Sequence, residues 1–301
     1  MEYKKEPKKI IYGFAILRSI LAFYVVKTHC FRNNSTKNKF MLYILGKRHI
    51  HVPSFFIISF YFTYKGLISK DSIKISKRFE IVLGRGIINP LWFQLDLMLT
   101  TFLFLVIIYI FDNYYLFLLQ LLKIVAYFLQ YSNYNYYIFA HTINEFRFSI
   151  GREIMMIPFA VSGFSLAHFK IIEYLQKNKY ITFIFSILTF ILIDNFDVFC
   201  EFTPYNGIKF NVLSLCLIFV FSLLSFENIN KYIKIFIHYI TRYTAGVFYL
   251  HIHVAYYSRN FILSVKNGTI EGLFIIYIIC YSICHFGILL FGKSKAKNLF
   301  S

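Results

Sequence analysis

The sequence predicts an all-α fold, a polytopic bundle of transmembrane helices forming one domain over residues 1–301. Three observations lead there. The chain is 58% hydrophobic and 15% charged, with a mean hydropathy of +0.60, more apolar surface than one soluble core can hide. Apolar runs of roughly bilayer-spanning length recur along it. The lysines and arginines behind a net charge of +18 mostly flank those runs, where they meet lipid headgroups and set orientation, so nucleic-acid binding is not implied.

The recognisable runs number nine, at about 11–30, 52–69, 97–111, 114–131, 154–169, 180–197, 208–225, 243–262 and 270–292. The first follows "MEYKKEPKK", which resembles the start of a secretory signal. Arg18 interrupts the run and no small-residue cleavage site follows, so it reads as a retained span. The fifth is preceded by Arg152 and Glu153, where a carboxylate in the first helical turn complements the dipole. Charges then alternate between loops: Lys170, Lys177 and Lys179, next Asp194, Asp197 and Glu201, next Lys231 and Lys234, and finally "GKSKAK". If the basic loops and the basic N-terminus are all cytoplasmic, the number of crossings must be even. Nine is odd. The shortfall falls between the second and third runs, where residues 79–112, 34 in all, are too few for two spans of about 20 residues and a turn. The basic loop 32–48 also lies on the side where the charge rule expects few cations.

Two polar residues in the first run share a face. Arg18 and His29 are eleven residues apart, about 1100° of rotation, or three turns plus roughly 20°. Their separation along the axis is about 16 Å, roughly half the hydrocarbon thickness. Lys27 sits about 200° from His29 and points elsewhere. Taken singly, an arginine at a helix end snorkels and an intramembrane histidine packs. Together they pair a proton acceptor with ordinary pKa near 6.5, deep in a span, with a cation nearer the surface. Asp96 would cost about 3 kcal/mol if ionised at a bilayer centre, which places it near an interface or beside a cation.

Other chemistry is absent from the pattern. The five cysteines, at 30, 200, 216, 280 and 284, form no C-x-x-C pair, and Cys280 with Cys284 reads as helix packing. No H-E-x-x-H, P-loop or dinucleotide-binding glycine motif occurs.

In this order the segments resemble the acyltransferase 3 family of membrane-bound O-acyltransferases. Arg18 and His29 match its R-x10-H signature, and "VPSFFIISFYF" is similar to its second-span pattern, although Ser59 precedes Phe60 where the family has glycine. "NPLWFQLDL", then "IMMIPFAVSGFSLA" with Gly163, then "YTAGVFYLH" with His251, follow in family order. The resemblance implies about ten spans, and transfer of an acyl group, most simply acetyl, from acyl-CoA (acetyl-CoA) to a hydroxyl of a glycan or lipid-linked sugar. It implies His29 as general base, Arg18 on the donor side and His251 in the site. The chain departs from the family where an R-x-x-R pair and a proline-containing third span belong, as if shortened around 80–90. Lys74, Lys77, Arg78 and Arg85 remain as partners for the acidic donor, with Asp96 beside them in sequence. The rival classes are a multi-pass transporter without bond chemistry and an inactive relative.

Reporter fusions at the two ends should both report the cytoplasm. Reports from opposite sides would mean an odd number of crossings and a topology unlike the family's.

Overall fold

The computed structural model describes residues 12–30, 50–68, 92–111, 114–131, 150–195, 207–224 and 230–300, and among these there are helices and turns but no strand. The helices are α1 (Tyr12–Cys30), α2 (His51–Ile68), α3 (Trp92–Phe111), α4 (Tyr115–Tyr131), α5 (Ile150–His168), α6 (Ile171–Leu175), α7 (Lys179–Asn195), α8 (Gly207–Leu223), α9 (Lys231–Thr241), α10 (Thr244–Ser258), α11 (Leu263–Asn267) and α12 (Ile270–Phe300). Each of the nine apolar runs is a helix. Two are long and apolar enough to cross a membrane, Tyr12–Cys30 and Ile270–Gly287, while Leu97–Phe111, Tyr115–Leu129, Met156–His168 and Gly207–Leu223 are shorter apolar stretches. The apolar periodicity did not announce α6, α9 and α11, which lie in the connections.

Side-chain pairs give the direction of each helix. Ser19 meets Thr244 and His29 meets His251, so α1 and α10 run the same way. Phe14 meets Tyr61, near the far end of α2, so α2 runs against α1. Ile57 lies against Gly163 and Tyr64 against His168, which makes α5 parallel to α2. Gln120 bonds Ser165 and Lys123 bonds Ser162, so α4 runs against α5. The short link from Phe111 to Tyr115 then makes α3 antiparallel to α4 and parallel to α2. Consecutive helices that should alternate in direction do not do so from α2 to α3.

Two large apolar clusters, and a small third one of Tyr243 and Cys284, form the interior among the described residues. One joins Phe14, Leu17 and Leu21 of α1 to α2, α4, α5 and α8, with Phe56, Tyr61, Phe159 and Phe164 almost wholly buried. The other joins Val26 and Cys30 of α1 to Val247 and Val254 of α10 and Leu273, Ile276 and Cys280 of α12. The thiols of Cys30, Cys216, Cys280 and Cys284 are buried and unbonded, in keeping with packing. Two glycines set how closely helices approach. A Cβ on Gly163 would stand 2.1 Å from the Ile57 carbonyl oxygen, and one on Gly13 would stand 1.7 Å from that of Phe221. Backbone cannot yield as a flexible side chain does, so α5 and α2, like α1 and α8, would have to separate.

Gly163→Ala should therefore lower stability by about 3 kcal/mol or more, beyond ordinary overpacking, and Gly163→Val should abolish the folded fraction. Thermal unfolding of detergent-solubilised protein measures both. An unchanged midpoint for Gly163→Ala would contradict the α2–α5 contact.

Candidate functional site

The face of α1 that carries Arg18 and His29 is buried in the bundle at its middle and exposed at both ends. Ala22 and Val25 lie between them on the same sector and are 0% and 5% exposed. The Arg18 and His29 side chains themselves are exposed. The stripe is thus closed at its middle and open at its two ends. Lys27, on another face, is buried at 8% exposure, so α1 does separate the three basic residues as rotation predicts.

Helix α10 supplies the opposing wall. A 2.9 Å hydrogen bond between the Ser19 and Thr244 hydroxyls fixes α10 against α1, and the Thr244 hydroxyl also donates to the Thr241 carbonyl at 2.9 Å. Further along, the rings of His29 and His251 pack with centroids 5.2 Å apart and planes inclined by 42°. Tyr249, on the same helix, lies within electrostatic range of Arg18. His251 is 1% exposed and its Nδ1 is 2.7 Å from the Phe248 carbonyl oxygen. A carbonyl oxygen only accepts, so Nδ1 carries the proton. In the neutral ring Nε2 then holds a bare lone pair, and it has no hydrogen-bond partner among the described residues. The site pairs an accessible imidazole with a buried one whose tautomer is fixed. That arrangement can accept a proton from a bound hydroxyl.

Of the other expected residues, Lys74, Lys77, Arg78 and Arg85 lie outside the described residues. Asp96 lies in the second turn of α3, a helix that packs mainly on α4 and α5. His168 bonds the Tyr64 hydroxyl, and His285 bonds that of Tyr243 at 3.0 Å, so both have structural partners. A cavity of about 210 Å³ opens beside α1, lined by Leu17, Leu21, Tyr24, His51, Phe190 and Leu217. It lies about 120° around α1 from the Arg18–His29 stripe, and so does not belong to that site.

Sequence reasoning passed over a second polar group. Lys123, in the middle of α4, donates to Ser162 Oγ at 2.9 Å, and the Asn211 side-chain amide donates to the same hydroxyl at 3.0 Å and to Tyr127. The Lys123 ammonium also sits 5.9 Å from the centre of the Tyr127 ring. Its signal was legible as the one cation inside "LFLLQLLKIVAYFL". No protein-family model, curated protein or solved structure matches the chain.

The Ser19–Thr244 contact is testable alone. Ser19→Ala and Thr244→Val should each cost about 1 kcal/mol, and the double change little more than one of them. Thermal unfolding of the four proteins gives the coupling. Fully additive losses would mean that the hydroxyls do not pair.

Proposed function

We propose that the chain is a multi-pass membrane-bound O-acyltransferase that moves an acyl group from acyl-CoA to a hydroxyl of a glycan or lipid-linked sugar. The observation that carries this reading is the His29–His251 pair at one open end of a stripe on α1 whose other open end is Arg18. Both termini are cytoplasmic and the number of crossings is even, a reading that the parallel course of α2 and α3 supports.

The acceptor hydroxyl enters from the face where α1 ends, and His29 takes its proton. His251 packs against the His29 ring and keeps it from turning away, while its own Nε2 offers a second acceptor. The hydroxyl oxygen forms a bond to the thioester carbonyl carbon, the carbon–sulfur bond breaks, and the thiolate leaves to become free CoA on taking up a proton. Arg18, nearer the opposite face, meets the anionic part of the donor, with Tyr249 beside it. The planar guanidinium offers forked donors to a phosphate or carboxylate, which a lysine ammonium does not. The distance from Arg18 to His29 lets donor and acceptor approach from opposite sides.

A second reading, a transporter without bond chemistry, draws on Lys123. A cation in the middle of an apolar helix is costly, and such groups line substrate and ion paths as well as active sites. Lys123, Ser162, Asn211 and Tyr127 form a polar cluster among three helices that the transferase reading does not use.

Thiol release from acyl-CoA in proteoliposomes, with a panel of sugar and lipid acceptors, tests the two readings together. His29→Ala should abolish release while folded protein persists, Arg18→Lys should lower it at least tenfold, about 1.4 kcal/mol of transition-state stabilisation, and Lys27→Met should leave it within about twofold. No release with any acceptor, alongside solute movement that Lys123→Met stops, would establish the transporter reading instead. Neither activity would point to an inactive relative.

A further inference from the structure

Helix α9 has a strong division of character that nothing in the bundle uses. At 100° per residue, Ile233, Phe236, Ile237 and Ile240 form one apolar side, bordered by Tyr232 and Tyr239, while Lys231, Lys234 and His238 fall on the other, with Ile235 the one apolar residue beside Lys231. The helix contains no acidic residue. Asn230 starts it, its side chain accepting from the Tyr232 N–H at 3.0 Å. Two contacts anchor it: α9 packs along α1, and the Tyr281 hydroxyl of α12 donates to the Tyr239 carbonyl at 2.5 Å. Yet of its apolar side chains Ile237 is the buried one. Ile233 is 50% exposed and Phe236 62% exposed.

Its position names what covers that side. α9 connects the end of α8 to the start of α10, and so lies at the face where α1 begins and where Lys170, Lys177 and Lys179 gather. A short helix with an apolar side and a cationic side, at the basic end of a membrane bundle, matches a surface that is oily below and anionic above. A protein partner would fit the apolar side equally but leaves the absence of any acidic residue unexplained.

We infer that α9 is an anionic-lipid contact: Ile233 and Phe236 enter the acyl boundary of the bilayer, and Lys231 and Lys234 hold acidic phospholipid headgroups. This rests on the membrane reading but not on the transferase reading. It gives the protein a dependence on lipid charge, because α9 joins α10, which carries Tyr249 and His251, through the two-residue turn Arg242–Tyr243.

The test uses the full chain with Phe236→Trp in a Trp92→Phe background, so that a single indole reports on α9. The protein is reconstituted in mixed phosphatidylcholine and phosphatidylglycerol vesicles, with one lipid or the other brominated on its acyl chains. The indole should be quenched, and more by brominated phosphatidylglycerol than by brominated phosphatidylcholine. Lys231→Gln and Lys234→Gln should reduce that preference on the order of fivefold each at low salt, corresponding to about 1 kcal/mol per lysine. An unquenched indole in a chain that co-sediments with the vesicles overturns the inference alone. Equal quenching by the two lipids, unchanged by removing the lysines, also overturns it. A chain that stays in solution without lipid or detergent overturns the membrane reading and this inference with it.

Discussion

Helix α1 belongs to both large apolar clusters, and the rest of the arrangement depends on that double membership. Phe14, Leu17 and Leu21 pack into the cluster with α2, α4, α5 and α8, while Val26 and Cys30 pack into the one with α10 and α12. A helix held on two sides cannot rotate to relieve a clash on either. Gly13 is the consequence at its lower end, where the Phe221 carbonyl leaves no room for a side chain. Ser19 is the consequence at mid-height, where two apolar surfaces meet and a hydroxyl pair with Thr244 fixes the register of α10. With rotation and register both fixed, the directions of Arg18, Lys27 and His29 follow from helical geometry alone.

That constraint also explains how polar groups are tolerated inside so apolar a chain. An ionisable group in hydrocarbon is unfavourable unless it reaches water, a partner or a substrate. Arg18 and His29 stand at the open ends of their stripe and His251 satisfies Nδ1 on its own backbone. Lys123 and Asn211 share the Ser162 hydroxyl, whose own proton goes to the Pro158 carbonyl at 2.8 Å. These groups thus find an opening or a local partner, and the open valence in the α1–α10 site is the Nε2 lone pair of His251.

The nine longer helices were legible because each is an apolar run. The odd number of runs was legible too, from the alternation of charge between loops. The closeness of His29 to His251 was not. They are 222 positions apart, and no local periodicity relates α1 to α10; only the family-like order of segments placed both in one site. Lys123 was visible but its meaning depended on Ser162 and Asn211, which arrive from two other helices. α9 was hidden because its apolar residues alternate with lysines over eleven positions, too short for a span and easily taken for a charged loop. Tertiary pairings of this kind need the fold itself.

The central claim is that His29 and His251 act as one unit, with the tautomer of the buried ring set by its backbone. Nitrogen NMR of histidine-labelled protein in detergent, with His251 assigned by its loss in His251→Ala, tests this most directly. The account predicts a neutral His251 protonated at Nδ1, with an Nε2 resonance that moves when His29→Phe removes the neighbouring imidazole or when a hydroxylated acceptor is added. A proton on Nε2 instead, or an Nε2 resonance indifferent to both His29→Phe and acceptor, would contradict it.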